Sequence, residues 1–278
     1  MPGPGDRGML AGQVRAAGRG VTAIRLTILL ILPVLLALLA LPAWATELPP
    51  FAYQQTAAPL ARGALAMQAE TAVGTRDLAL IGNRGVEQTL RLRTALTGRL
   101  QAEVWGGALL GGDTAGWRGT ALGAGVAWLA LSEREHGLAL QVSAGVARDY
   151  AGAVVPRLAL AASRHLGPWQ LAASGVAELP LGGRSRRDAA DMLFSLGIAR
   201  HATAALTLGF EAAGQDLEAL WDPAEAEGGA RLLAGPLAAW QLAAVQVRGH
   251  AGLVWSALAS RLGPAGEPGA MARLAVVW

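Results

Sequence analysis

Stretches of about ten residues recur along this chain, each alternating apolar with polar or small side chains and each closed by turn residues. Successive side chains of a strand point to opposite faces, so such alternation describes a sheet with one apolar wall and one polar wall. The clearest case is 137–147, where Leu138, Leu140, Val142, Ala144 and Val146 share one face and Gln141, Ser143 and Gly145 share the other. In 204–213, Leu206, Leu208 and Phe210 oppose Thr207, Gly209 and Glu211. In 88–97, Leu90, Leu92 and Leu96 oppose Arg91, Arg93 and Ala95, and in 99–109, Leu100, Ala102 and Val104 oppose Arg99, Gln101 and Glu103. Segments 64–72, 119–131, 157–165, 169–179, 190–200, 230–239, 241–254 and 270–278 bring the number of predicted strands to twelve. Helix is the competing reading, because Ala and Leu are good helix formers. The apolar positions nevertheless recur at two rather than at three and four, and Gly stands inside many segments, where a helix interior tolerates it poorly. The pattern is least regular at 230–241, which Pro236 interrupts and where the turn is expected near Trp240.

The connections alternate in length. Residues 73–87, 110–118, 148–156, 180–189, 214–229 and 255–269 form long connections, and short ones lie between them at 97–99, 132–136, 166–168, 201–203 and near Trp240. Outer-membrane barrels have short periplasmic turns, long extracellular loops and an even number of antiparallel strands. The expected fold is therefore all-β: a transmembrane antiparallel up-and-down β-barrel of about 12 strands over residues 63–278, after a cleaved signal peptide. A soluble, lipocalin-like barrel shows the same alternation but has no reason to keep the rhythm of its loops.

The first 45 residues read as that signal peptide. Arg residues precede a nearly unbroken apolar run, Leu26–Leu41, and Ala43-Trp44-Ala45 supplies the small-x-small pattern of a cleavage site. The run is short for a membrane helix, which needs roughly 18 or more apolar residues. Residues 46–62 contain Pro, lack periodicity and are expected to form a periplasmic N-terminal segment. The leader holds four Arg against one Asp, which accounts for the whole chain's +3 and leaves the remainder near neutral. All 23 basic residues are Arg, which with the abundance of Ala and Gly fits coding bias in a GC-rich genome. A neutral mature chain offers no electrostatic footprint for nucleic acid. The absence of Cys excludes disulfides, thiolate metal sites and a Cys nucleophile.

In a membrane barrel the polar faces point to the lumen, since a charged side chain facing lipid near the midplane costs roughly 2–4 kcal/mol. The lumen-lining candidates are Glu70, Arg91, Arg93, Glu103, Arg157, Glu178, Glu211, Arg248, His250 and Arg273. They read either as ion pairs bracing the barrel or as a polar constriction on a solute path. Trp128, Trp169, Trp240 and Trp278 fall near the predicted periplasmic strand ends, where barrels gather aromatic residues into an interfacial girdle.

Catalytic and metal readings find little footing. His136, His165 and His201 fall at predicted periplasmic turns, none joins a Ser in a recognisable nucleophile motif, and Gly-x-Ser-x-Gly is absent. The acidic loop Asp216–Glu227 matches no calcium-loop spacing, and Arg184, Arg186 and Arg187 read as a solvated loop. No cofactor and no metal are expected.

The final stretch, 271–278, alternates down to a terminal Trp and resembles the closing strand of bacterial outer-membrane barrels, which implies the barrel-assembly machinery as a partner. The runs 157–174 and 228–237 resemble bacterial outer-membrane channels of the meta-pathway phenol-degradation type. That likeness implies a channel or transporter for small solutes, in contact with outer-membrane lipid, and carries over no functional residue. A non-conducting barrel acting through its extracellular loops is the alternative, and a membrane-embedded hydrolase a more distant one.

Overall fold

The structure, a computed structural model, describes residues 49–53, 57, 60–75, 82–111, 117–181, 191–215, 231–243, 245–256 and 268–278. The leader and the acidic and Arg-rich loops singled out above lie outside the described residues.

Twelve strands close into one antiparallel barrel. They are β1 (Leu65–Gly74), β2 (Gly85–Ala95), β3 (Leu100–Leu110), β4 (Trp117–Leu131), β5 (Ala139–Arg148), β6 (Val154–Leu166), β7 (Trp169–Glu178), β8 (Asp191–His201), β9 (Leu206–Gln215), β10 (Arg231–Leu242), β11 (Val245–Ser256) and β12 (Gly269–Val277). Each strand pairs with its sequence neighbours, and β12 closes the ring on β1 through the register Gln68↔Val277 to Gly74↔Met271. Closure pairs every edge, so the backbone's polar groups are satisfied between strands, as crossing a membrane requires.

The alternation is inverted relative to a soluble barrel. Leu90, Val104, Leu122, Val126, Leu158, Phe194, Leu196, Phe210, Leu253 and Leu274 point outward and are exposed, while the inner wall carries polar and small side chains. Such a predominantly apolar exterior suits a lipid solvent. One rim collects the turns 96–99, 132–138, 167–168 and 202–205 with the facing ends of β10 and β11, and residues 149–153 join β5 to β6 at the other. The rhythm is looser than predicted at one place, since β6 starts at Val154 and leaves only residues 149–153 for its loop.

Three local departures have physical causes. The 132–136 turn contains a single helical turn, α1 (Glu133–His136), ended by Gly137 at φ 70, a left-handed conformation that Gly adopts without steric cost. β10 runs through Pro236 as far as Leu242, so the turn follows Leu242 instead of Trp240. Pro cannot donate to a ladder. The β10–β11 pairing accordingly lapses at Gly235 and Pro236, between Ala234↔Leu253 and Leu237↔His250. Finally, the segment expected in the periplasm turns into the barrel: Phe51, Tyr53, Ala57 and Leu60 are all buried against inward-facing side chains. An eight-stranded barrel is filled by its own side chains and a sixteen-stranded one leaves a channel, so twelve strands leave room that another segment can fill.

Candidate functional site

The ten lumen candidates all lie on the inner face, because register places them there together. Gln68 pairs with Arg91, Ala66 with Arg93, and Arg93 with Glu103. Gly145 pairs with Arg157, and Arg157 with Glu178. Arg248 pairs with Ala275, and His250 with Arg273. Glu70 also pairs with Ala275, and Glu211 with Gly235. What the structure adds is an uneven lumen: the N-terminal segment covers the β7–β12 side through Phe51 and Tyr53 and meets Ala66, Ala95, Leu129 and Ala139 through Leu60 and Ala57, while the charged residues of β2, β3 and β6 keep contact with solvent.

On the β7–β12 side the inner residues are buried beneath the N-terminal segment. Phe51 fits among Ala172, Ala199 and Leu237, and Tyr53 among Val176, Leu193, Ala213, Leu233, Val254 and Met271. Small inner residues on β7, β8 and β9 leave the space these two rings take. The backbone N–H groups of Ala52 and Tyr53 donate to the two carboxylate oxygens of Glu211, at 2.9 and 2.8 Å. Arg248 donates to the Pro49 carbonyl at 3.0 Å and to Gln68 Oε1 at 2.8 Å. Gln68 in turn donates to Glu70, which also accepts from Arg273 at 3.2 Å. The Arg273 guanidinium lies 4.1 Å from the Tyr53 ring centroid, within cation–π range, and the His250 ring meets Tyr53 edge-on at 5.0 Å. Burial pushes the Tyr53 hydroxyl up to about 12, against the pull of Arg273. One continuous set of contacts therefore ties residues 49–53 to β1, β9, β11 and β12.

On the β2–β6 side the charged residues stay within reach of solvent. Arg91 and Glu103 pair at 2.8 Å with side chains 27% and 28% exposed. Arg157 stands 3.8 Å from Glu178 and is 30% exposed. Between Glu103 and Arg157 the wall is Gly125 paired with Gly145, a floor without side chains. Trp105 lies above it with its indole over Gly123, where a Cβ would run into the ring nitrogen. Towards the long-loop rim, Tyr150 folds inward, its hydroxyl donating to Glu87 at 2.9 Å while Asn83 donates to the same carboxylate. Gly107 leaves the space for that hydroxyl. Burial first, then the Glu87 charge, holds the Tyr150 phenol far above its ordinary value, so it remains a donor.

Glu87, Trp105 and Tyr150 are absent from the predicted set, as are Phe51 and Tyr53. Two were within reach: Glu87 shares parity with Arg91 and Arg93, and Trp105 with Gln101 and Glu103. The other three belong to aperiodic segments that carry no face signal.

Trp128, Trp169 and Trp240 point outward at the short-turn rim and are 42–56% exposed. Trp278 shares that rim, pairing with Met67 through both backbone groups, but is only 8% exposed and so stands apart from the other three. Arg200 lies 5.6 Å over the Trp169 ring. Beneath the same rim α1 is pinned to β6, where Glu133 accepts from the His165 ring at 2.8 Å and from the His165 backbone N–H. Burial works to raise the Glu133 carboxyl, but these bonds and the nearby Arg164 charge hold it below its ordinary value.

No protein-family model matches this chain, and no curated protein does. Solved structures do. A KdgM porin in complex with disordered oligogalacturonate superposes with a TM-score of 0.53 at 8% identity, over 77% of this chain and 98% of that one. The COG4313 outer membrane channel from Pseudomonas putida F1 gives 0.53 at 16% identity, over 84% of this chain and 100% of that one. At these identities the likeness is one of fold: the chain has the architecture of porin-like outer-membrane barrels.

Proposed function

We propose that this chain is an outer-membrane channel for small solutes, exported by residues 1–45, with passage along the β2–β6 side of the lumen. The observation that carries the reading is the contrast between the two sides. Arg91, Glu103 and Arg157 are 27–30% exposed, whereas Glu211, Arg248 and His250 are buried under residues 49–53. Selectivity in such a path rests on the charges and rings along it, here Arg91, Arg93, Glu103, Arg157 and Trp105. The porin-like fold and the meta-pathway resemblance of 157–174 support the same reading. In it, β12 is the strand met by the assembly machinery.

The seated N-terminal segment favours a second reading, a barrel that does not conduct and acts through its long loops. Single-channel recording of the refolded chain in planar bilayers, with an Arg91→Ala/Arg93→Ala variant beside it, separates the two. Steady conductance whose ion preference moves in the variant supports the channel. A folded, heat-modifiable barrel that never conducts overturns it.

A further inference from the structure

The outer wall carries a feature that neither the lumen nor the girdle explains. On the lipid side of β6–β9, an almost wholly apolar groove of about 510 Å³ runs over Ala162, Ala173 and Ala212. Leu171, Ile198 and Phe210 flank it towards the short-turn rim, and Leu196 stands in the alanines' own register row, between Ala173 and Ala212. Alanines at three outward positions, among strands whose outward positions are otherwise mostly large, make the depression. The groove is not closed by lipophilic side chains alone, because Arg164 stands at its short-turn end.

Arg164 points outward with Leu171 as its register partner on β7, and Ile198 continues that row on β8. Two residues nearer the rim, Arg200 pairs with Trp169 and lies over its ring. Two guanidiniums on the lipid face, both at the same rim, are costly at midplane depth and favourable where their heads reach lipid phosphates. Arg164 lies two residues before the end of β6 at Leu166, which puts it at the boundary between groove and turn.

We propose that this groove is a binding site for one phospholipid of the periplasmic leaflet. One acyl chain lies over Ala162 and Ala173, between Leu171 and Leu196, and the phosphate meets Arg164, with Arg200 and Trp169 beside it. The assignment rests on the outer-membrane reading above for the direction of the short-turn rim.

Native mass spectrometry of the refolded chain from micelles holding equal phosphatidylglycerol and diacylglycerol of matched chains tests it. The expected result is one retained phosphatidylglycerol per barrel, its preference falling about fivefold for each of Arg164→Gln and Arg200→Gln. Filling the floor with Ala173→Phe, or with Ala162→Leu as a second variant, removes the retained lipid with both arginines intact. Ala272→Phe, on the outer face of β12, leaves retention unchanged. Equal retention of both lipids, undiminished retention in both filled variants, or a lipid-free dimer overturns the site. Insertion into vesicles, read by flotation and heat-modifiable mobility, reports on the outer-membrane reading separately.

Discussion

The N–H of Tyr53 donates to one oxygen of Glu211 at 2.8 Å, and the N–H of Ala52 takes the other at 2.9 Å, so a wholly buried carboxylate is matched by two adjacent peptide groups. Hydrogen bonds to a charged group contribute about 1.5–3 kcal/mol each, and removing one partner of a buried set costs more than the mean bond. Glu211→Ala is expected to loosen the N-terminal segment without opening the barrel, whose closure lies in the strand ladders. Because the chain has no Cys, a single Ala52→Cys reporter is clean. Its reaction with a water-soluble thiol reagent is expected to speed up by about tenfold or more when Glu211→Ala is added. An unchanged rate would mean that Glu211 does not hold the segment.

Phe51 is fully buried between Ala172, Ala199 and Leu237. Truncating a buried Phe costs about 3–5 kcal/mol in a packed core. Here the loss falls on a segment outside the strand ladders, so Phe51→Ala is expected to shift the thermal midpoint of the barrel little while raising reagent access at Ala52→Cys. A large fall in the midpoint with no change in access would contradict this division.

Trp105 occupies the space that a side chain at Gly123 would take. Gly123→Val puts atoms where the indole now lies and must swing it into the solvent-reached side of the lumen. In a conducting barrel, the single-channel conductance is expected to fall in Gly123→Val and to recover in Gly123→Val/Trp105→Ala. Tyr150→Ala, which removes the bar at the long-loop rim, is expected to raise it.

The Glu133–His165 clamp gives a pH dependence of definite sign. A carboxyl held below its unfolded value contributes stability above that value, near pH 4.3, and loses it as the pH falls through the folded value. Both side chains are partly exposed, so the effect is small and weakened by salt. The protection of the amides at residues 132–137, taken relative to that of the strands, is expected to fall below about pH 4. Glu133→Gln is expected to exchange faster at neutral pH and to lose the acid limb. Persistence of that limb in Glu133→Gln would overturn its assignment to the clamp.

Strand number, alternation and the inward position of the charged residues were legible because each follows from a period of two, which survives errors of a few residues at segment ends. Glu87 shows the cost of such an error: starting β2 at 88 rather than Gly85 hides an inner carboxylate that the parity of Arg91 and Arg93 would have revealed. The uneven covering of the lumen was not legible. Phe51 and Tyr53 sit in an irregular segment next to prolines, and nothing local distinguishes a ring that docks in a barrel from one that waits in the periplasm. Trp278 misleads in another way: its place in the sequence suits a girdle, while its burial depends on how it meets β1. The turn beyond Leu242 was obscured because Pro236 looks like a strand breaker until the ladder to β11 is seen to lapse around it.

The cradle of the N-terminal segment draws on both ends of the barrel sequence. Gln68 and Glu70 come from the first strand, Arg248 and Arg273 from the last two, and the Arg273 under Tyr53 is coupled to Glu70 across the closing seam. Until β12 zips onto β1 there is no complete socket for Tyr53, and Arg273 lacks the seam neighbour that balances it. The last strand to join the cylinder thus also completes the seat of the segment, and a half-built sheet offers Tyr53 only part of it.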